Sequence, residues 1–272
     1  MKRVIDTPGG KMKLIILSYR KTDRKGPGIL WIHGGGYVLG MAAMVYCSMG
    51  RMLAKRLSGV VVSPEYRLAK TAPYPAAFDD CCAALRYLYD HAEELGVDRE
   101  RIVVGGESAG GGLAAAVCLW ARDRGEIPIR MQIPLYPMLD CEDTDSSRDN
   151  HGHVWNTKRN HWGWRHYLGE LYGTDHVPPY ASPSRETDYR GLPPCYTYVE
   201  DGEPFYDETL TYVRKLREAG IEACADVFHG KTHAFDGLFW TKNAREAKKK
   251  LIRAAEKMLD PDGKGYISRI YS

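Results

Sequence analysis

Gly106-Glu-Ser-Ala-Gly110 sets a serine between two glycines, in the pattern G-x-S-x-G. The β-branched run Ile102-Val-Val104 precedes it, and an Ala-rich, helix-forming stretch follows. Strand, sharp turn, helix is the setting that lifts a serine hydroxyl clear of the backbone as a nucleophile. The serine at such an apex is held in a strained conformation, and side chains on the flanking positions would clash, so glycine is required at both. The chemistry predicted is covalent attack by Ser108.

A serine hydroxyl attacks only when a base takes its proton and a third group orients that base. The histidines after Ser108 are His151, His153, His161, His166, His176, His229 and His233. His233 lies in Gly230-Lys-Thr-His-Ala-Phe-Asp236, just past the apolar run 223–227. A loop after a late strand is where the chain order serine, acid, histidine places the base. His229 competes, but it still belongs to the strand end. The remaining histidines fall in a polar insertion, and the spacing of His151, His153 and His161 fits no zinc site. The acid should follow the strand at 196–199. There Glu200, Asp201, Glu203, Asp207 and Glu208 crowd together, and spacing alone does not choose among them.

Upstream, Trp31-Ile-His-Gly-Gly-Gly-Tyr37 follows another strand. Three consecutive glycines allow bare backbone N–H groups close to a substrate oxygen. A flexible turn is the alternative reading of this run; phosphate-binding readings find no motif. No G-x-x-x-x-G-K-[ST] phosphate loop is present, and Glu107 breaks G-x-G-x-x-G. At the C-terminus, Asp260-Pro-Asp-Gly-Lys-Gly-Tyr-Ile267 imitates a calcium loop, but Lys264 takes the third ligand position and Tyr271 the place of the bidentate Glu. No metal is expected.

The elements that must position these residues alternate between short apolar runs and longer helical patterns. Strands are expected at 13–19, 28–32, 60–63, 102–104, 131–136, 196–199 and 223–227, and helices at 44–57, 76–95, 109–122, 207–219 and 243–259. This β-α alternation predicts an α/β fold with a mostly parallel sheet covered on both faces. Residues 140–192 interrupt it with an acidic, turn-rich first part and then Trp155, Trp162, Trp164, Tyr167 and Tyr172. Insertions after the strands of such sheets sit over the carboxyl edge, so this one is expected to form a small helical cap inside a single domain spanning residues 1–272.

Bulk properties narrow the rest. The chain has 272 residues, 44% hydrophobic and 27% charged, with a net charge of +3. That charge is too small to imply a nucleic-acid partner. The run Lys248-Lys-Lys250 reads as the solvated face of an amphipathic helix. No apolar stretch approaches the ~20 residues of a membrane span, and the start lacks the apolar core of a signal peptide. The seven cysteines are irregularly spaced with no C-x-x-C pair. They read as free thiols of a reducing compartment, so a cytoplasmic location is expected.

Taken together, His33-Gly-Gly-Gly36, Tyr66-Arg-Leu68, Tyr74-Pro-Ala-Ala-Phe-Asp-Asp80 and Gly106-Glu-Ser-Ala-Gly110 occur in an order that resembles the hormone-sensitive-lipase-like esterases. The resemblance covers about 28–259 and implies an α/β-hydrolase acting on carboxylic esters without a cofactor. It implies Ser108 as nucleophile, His233 as base, and an oxyanion hole from the N–H groups of Gly35, Gly36 and Ala109. His33 would then shape its loop rather than move protons. In the family's register the triad acid falls on Glu203, in Glu203-Pro-Phe-Tyr-Asp-Glu208, where Asp is the usual residue; Asp207 matches a later, non-catalytic Asp. Many members carry a longer N-terminal segment that adds to the cap. With a short stretch before His33, the resemblance implies a reduced cap and an open pocket, suited to short acyl chains or a bulky exposed alcohol group. Relatives often form dimers, so a homodimer is a further expectation. An amidase, formamidase or peptidase on the same fold, and a non-catalytic receptor, are the rival readings.

Overall fold

The computed structural model describes residues 1–21 and 24–259; the calcium-like segment considered above lies outside them. Eight strands form one sheet: β1 (Lys2–Thr7), β2 (Gly10–Ser18), β3 (Gly26–Ile32), β4 (Val60–Pro64), β5 (Val97–Glu107), β6 (Met131–Leu135), β7 (Cys195–Glu200) and β8 (Ala223–Phe228). Their spatial order is β1-β2-β4-β3-β5-β6-β7-β8. The first two strands pair antiparallel with their neighbours, and all pairings from β4 to β8 are parallel. This is the α/β-hydrolase fold.

Helices cover both faces, as a parallel sheet requires. They are α1 (Met49–Arg56), α2 (Ala76–Asp90), α3 (Ala92–Leu95), α4 (Ala109–Arg124), α5 (Asp145–Arg148), α6 (Thr157–Leu168), α7 (Tyr206–Glu218) and α8 (Lys242–Met258). The strand pleat divides the core into two layers. On β3, Leu30 and Ile32 join the layer holding Leu85 of α2, Leu113 of α4 and Leu216 of α7, whereas Ile29 and Trp31 join the layer holding Leu53 of α1 and Leu251 of α8. On β4 and β5, Val62 and Val104 face the first layer, and Val61 and Val103 the second.

Two expectations change. Before residue 13, where no strand was expected, the chain forms β1 and pairs it with β2 as a hairpin, with Thr7 opposite Gly10. Most of β1 is exposed, so it carries no apolar alternation to betray it. The single helix expected at 44–57 is two pieces. Ala42–Cys47 is a 3₁₀ turn, and Ser48 then caps α1 by accepting the N–H of Arg51 at 3.2 Å. Among the described residues, no helix is long and apolar enough to cross a membrane.

Candidate active site

The parallel strands end on one edge of the sheet, and that edge gathers the chemical residues. Ser108 sits between β5 and α4 with φ 58° and ψ −122°, a conformation that side-chain-bearing residues rarely adopt. The glycines beside it are dictated by backbone crowding. A Cβ on Gly106 would lie 2.4 Å from the carbonyl oxygen of Gly110, and one on Gly110 only 2.1 Å from that of Ile32. No side-chain shift relieves a clash with a carbonyl. The elbow is also tied to the sheet, because the Ser108 N–H donates to the Leu135 carbonyl at 3.0 Å.

His233 arrives on the loop after β8, and its Nε2 stands 2.8 Å from Ser108 Oγ. Its Nδ1 is hydrogen-bonded to Glu203 Oε2. All three residues are buried, Glu203 completely. Burial pushes the Glu203 carboxyl up from its ordinary value, and the neighbouring His233 pulls it back down. Phe205 and Tyr136 meet the imidazole edge-on, with ring centroids 5.0 and 5.1 Å away, which leaves the ring little room to turn. The structure therefore brings together Ser108, His233 and Glu203, three residues far apart in the chain.

The five crowded carboxylates after β7 separate by what they touch. Glu200 accepts from the Thr232 N–H at 2.8 Å and from Asn243 at 2.9 Å, fastening the base of the His233 loop. Asp201 faces the exposed His229 at 2.9 Å. Asp207 accepts the Ser146 N–H at 2.7 Å, tying α7 to the insertion. Glu208, buried, accepts the N–H groups of Leu139 at 2.5 Å and Asp140 at 2.6 Å, where the insertion leaves the sheet. Among these five carboxylates, Glu203 is the one hydrogen-bonded to His233.

The glycine loop after β3 closes the other side. Gly34, Gly35 and Gly36 line the same pocket as Ser108 and His233. Gly35 has φ +120°, and a Cβ there would meet the Leu39 carbonyl at 2.2 Å. Gly36 has φ +58°, and its Cβ would meet the Trp155 ring at 2.1 Å. Ala109 opens α4, whose first-turn N–H groups have no acceptor within the helix. His33 is buried, stacks on Tyr66 with centroids 4.1 Å apart, and shares its Nδ1 with the Gly34 carbonyl at 2.8 Å. Burial holds its imidazole down at about 4, so it is neutral near pH 7. Tyr66 also donates to the His33 carbonyl at 3.0 Å, and Arg67 makes a two-pronged contact with buried Asp80 at 2.8 and 2.9 Å. The motifs around Tyr66 and Asp80 thus buttress the glycine loop.

The pocket has a volume of about 530 Å³. Besides the residues named above, its wall includes Met44, Cys47, Met49, Glu107, Tyr136 and Asp236. Sequence reasoning missed these six as pocket residues. Glu107 and Asp236 had a signal, since each lies within three positions of Ser108 or His233. The others come from a 3₁₀ turn (Met44, Cys47), the first residue of α1 (Met49) and a strand end (Tyr136), none of which carries a motif. Trp155 enters from the insertion, which also stacks Tyr167 on Tyr37 of the glycine loop at 3.9 Å. The insertion's His161 pairs with Asp143 at 2.8 Å.

Comparison with known proteins agrees with this architecture. A family model described as alpha/beta hydrolase fold matches residues 29–237. The esterase LipI of Mycobacterium tuberculosis is 35% identical over 198 residues, covering 72% of this chain and 61% of that protein. An ethyl acetate hydrolase of Pseudomonas putida is 30% identical over 213 residues, covering 77% and 66%. The chain thus spans slightly less than two thirds of the length of these curated relatives. Among solved structures, a bacterial heroin esterase superposes with a TM-score of 0.90 at 34% identity, covering 96% of this chain and 84% of that one.

Proposed function

We propose that this chain, which belongs to the α/β-hydrolase fold family and to its hormone-sensitive-lipase-like esterase branch, is a serine carboxylesterase working through Ser108, His233 and Glu203. The observation that carries the reading is His233 bridging Ser108 Oγ on one nitrogen and Glu203 on the other. That is the geometry of an activated nucleophile.

In this mechanism His233 Nε2 removes the Ser108 proton as Oγ attacks the ester carbonyl carbon. The carbonyl oxygen becomes an oxyanion held by the N–H groups of Gly35, Gly36 and Ala109. Each such donor is worth roughly 10²–10³ in rate. Glu203 fixes the imidazole tautomer and balances the charge of the imidazolium. His233 then returns the proton to the departing alkoxide, leaving an acyl group on Ser108. Water, activated by the same nitrogen, attacks the acyl-enzyme and releases the acid. All the groups required are side chains and backbone of this chain, so the reaction as written needs no cofactor.

Short-chain esters are the proposed substrates. The reading is supported by the pocket volume and by the relative named for ethyl acetate hydrolysis. In the same reading residues 140–192 act as a small cap, with Val154 and Trp155 as their contribution to the pocket wall. The test is a p-nitrophenyl ester series from acetate to longer acyl chains, alongside labelling with a fluorophosphonate. Turnover highest on short acyl chains, with the label on Ser108 and lost in Ser108→Ala, is the expected result. Labelling without ester turnover would instead favour amide substrates; no label on Ser108 would overturn the proposal.

A further inference from the structure

Glu203 sits on a short loop that the sheet holds only at its start. The Asp201 N–H donates to the Phe228 carbonyl at 3.0 Å and the Gly202 N–H to the Gly230 carbonyl at 2.7 Å, where β7 and β8 end. Further on, the carbonyls of Glu203 and Phe205 accept N–H groups of α7, from Tyr206 at 3.3 Å and Thr209 at 3.1 Å. The carbonyls of Gly202 and Pro204, the two residues flanking the acid, accept no N–H of the loop or of α7. Pro204 has no N–H of its own to tie the loop down.

Both carbonyls are met by the insertion. Asn150 Nδ2 donates to the Gly202 carbonyl at 3.2 Å, and Ser146 Oγ donates to the Pro204 carbonyl at 2.9 Å. Ser146 also exchanges two bonds with α7: its N–H donates to Asp207 Oδ2 at 2.7 Å, and its Oγ accepts the Asp207 N–H at 3.1 Å. That amide lies in the first turn of α7, where the helix itself offers no acceptor. The two side chains support each other, because Asn150 Nδ2 also donates to the Ser146 carbonyl at 3.2 Å. Asn150 is fixed in turn to the start of α6, its N–H donating to Thr157 Oγ1 at 2.7 Å.

The carboxylate depends on this hold. His233 is its one hydrogen-bond partner among the described residues, and Oε1 has none, so the loop backbone has to place it. Resting on the esterase reading above and deepening it, we infer that Ser146 and Asn150 are positioning residues: they grip the acid loop on both sides of Glu203 and so keep its carboxylate on His233. The insertion is then a working part of the triad as well as a wall of the pocket.

Neither residue lines the pocket, so their loss should appear in kcat rather than KM. On p-nitrophenyl acetate, Ser146→Ala and Asn150→Ala should each lower kcat about 10–100-fold with KM within about twofold, since displacements near 1 Å cost up to that much. Ser146→Thr keeps the hydroxyl and should recover most of the turnover. The same alanine substitutions are then made in Glu203→Ala, whose residual turnover still exceeds the uncatalysed reaction. With no acid left to place, each should change kcat by less than about twofold. If Ser146→Ala does not fold, Asn150→Ala carries the same test. Wild-type kcat in both single variants, a Ser146→Thr variant as slow as Ser146→Ala, or losses that multiply in the Glu203→Ala background overturn the inference and leave the esterase reading standing. A wild-type protein that neither turns over the ester nor takes a fluorophosphonate on Ser108 removes both.

Discussion

Glu203 gives one carboxylate oxygen to His233 Nδ1 and keeps the other, Oε1, buried without a partner among the described residues. Glu203 is therefore held to His233 by a single contact, and no network among the described residues ties its second oxygen. Such an acid is sensitive to any change in the donor pattern. Glu203→Gln places an amide where the acceptor was, and an NH₂ group facing Nδ1 selects the wrong imidazole tautomer. Turnover of p-nitrophenyl acetate should fall about 10³–10⁴-fold, by analogy with other orienting acids. Asp201→Ala should stay within a few-fold of wild type, since Asp201 pairs with exposed His229. Equal losses in the two variants would reject the assignment of Glu203.

The elbow and the glycine loop predict a steric phenotype. Gly36 has a left-handed backbone and sits under the Trp155 ring, so Gly36→Ala drives a methyl group into that ring at 2.1 Å. The proposed oxyanion donors move with the loop, and kcat should drop by about 10²–10³. Removing the ring as well, in Gly36→Ala with Trp155→Ala, relieves the clash but not the strain, so recovery should be partial. Steady-state kinetics on p-nitrophenyl acetate decide it; an undiminished kcat in the single variant would show that the loop tolerates displacement.

Much of this site was legible in the chain, and the reason is physical. Elbow glycines, the glycine run and the Tyr66 and Asp80 motifs are forced by backbone approach or by local pairing, so they leave fixed residue types in fixed places. Strands β3 and β4 and the 102–106 half of β5 are buried on both faces and read as apolar runs, whereas the polar first half of β5 is partly exposed and went unread. The β1 strand was not legible because most of it is exposed, and α1 was overextended because a 3₁₀ turn carries the same apolar residues as a helix. The acid was the hardest case for spacing. Five carboxylates lie within nine positions, and only the path of the loop after β7 decides which one meets His233. The resemblance pointed to Glu203; the crowding did not.

His33 makes acid stability a readout of loop integrity. Its folded value lies near 4, below the unfolded value of 6.5, because burial disfavours the charged ring. Between those values the unfolded chain binds a proton that the folded chain refuses, so stability falls as pH drops from about 6.5 to 4 and is not lost further below. The contribution is about 3 kcal/mol across that window. Urea midpoints of wild type and His33→Gln should converge on acidification, since glutamine carries no such penalty. Parallel curves would mean that the ring is protonated, or solvated, in the native state.

Asp80 anchors the loop from behind. It is 1% exposed and receives Nε and a terminal nitrogen of Arg67 together with the Arg67 N–H. Asp80→Ala leaves that guanidinium, itself 33% exposed, and the amide facing a vacated site, and losing charge-assisted hydrogen bonds of this kind costs about 2 kcal/mol. Chemical denaturation should show that loss, with the fluorophosphonate still reacting at Ser108 in the folded fraction. A change below about 0.5 kcal/mol, typical of surface pairs, would place the contact among the dispensable ones.

Trp155 sets the size of the pocket from the insertion side. Its ring covers Gly36, lies 6.4 Å from the His233 ring, and donates Nε1 to Asn160 at 3.4 Å, so it is fixed to the insertion and stands beside His233 in the pocket wall. Trp155→Leu keeps an apolar wall but vacates volume next to Ser108. Acyl chains that clash with the indole should then fit, and each methylene newly accommodated is worth about 1–3 kcal/mol of discrimination. The ratio of kcat/KM for hexanoate over acetate should therefore rise about tenfold or more on p-nitrophenyl esters. An unchanged ratio would mean that the acyl chain leaves the pocket on the side of Met44 and Met49, away from the insertion, and that the insertion bears on the alcohol group instead.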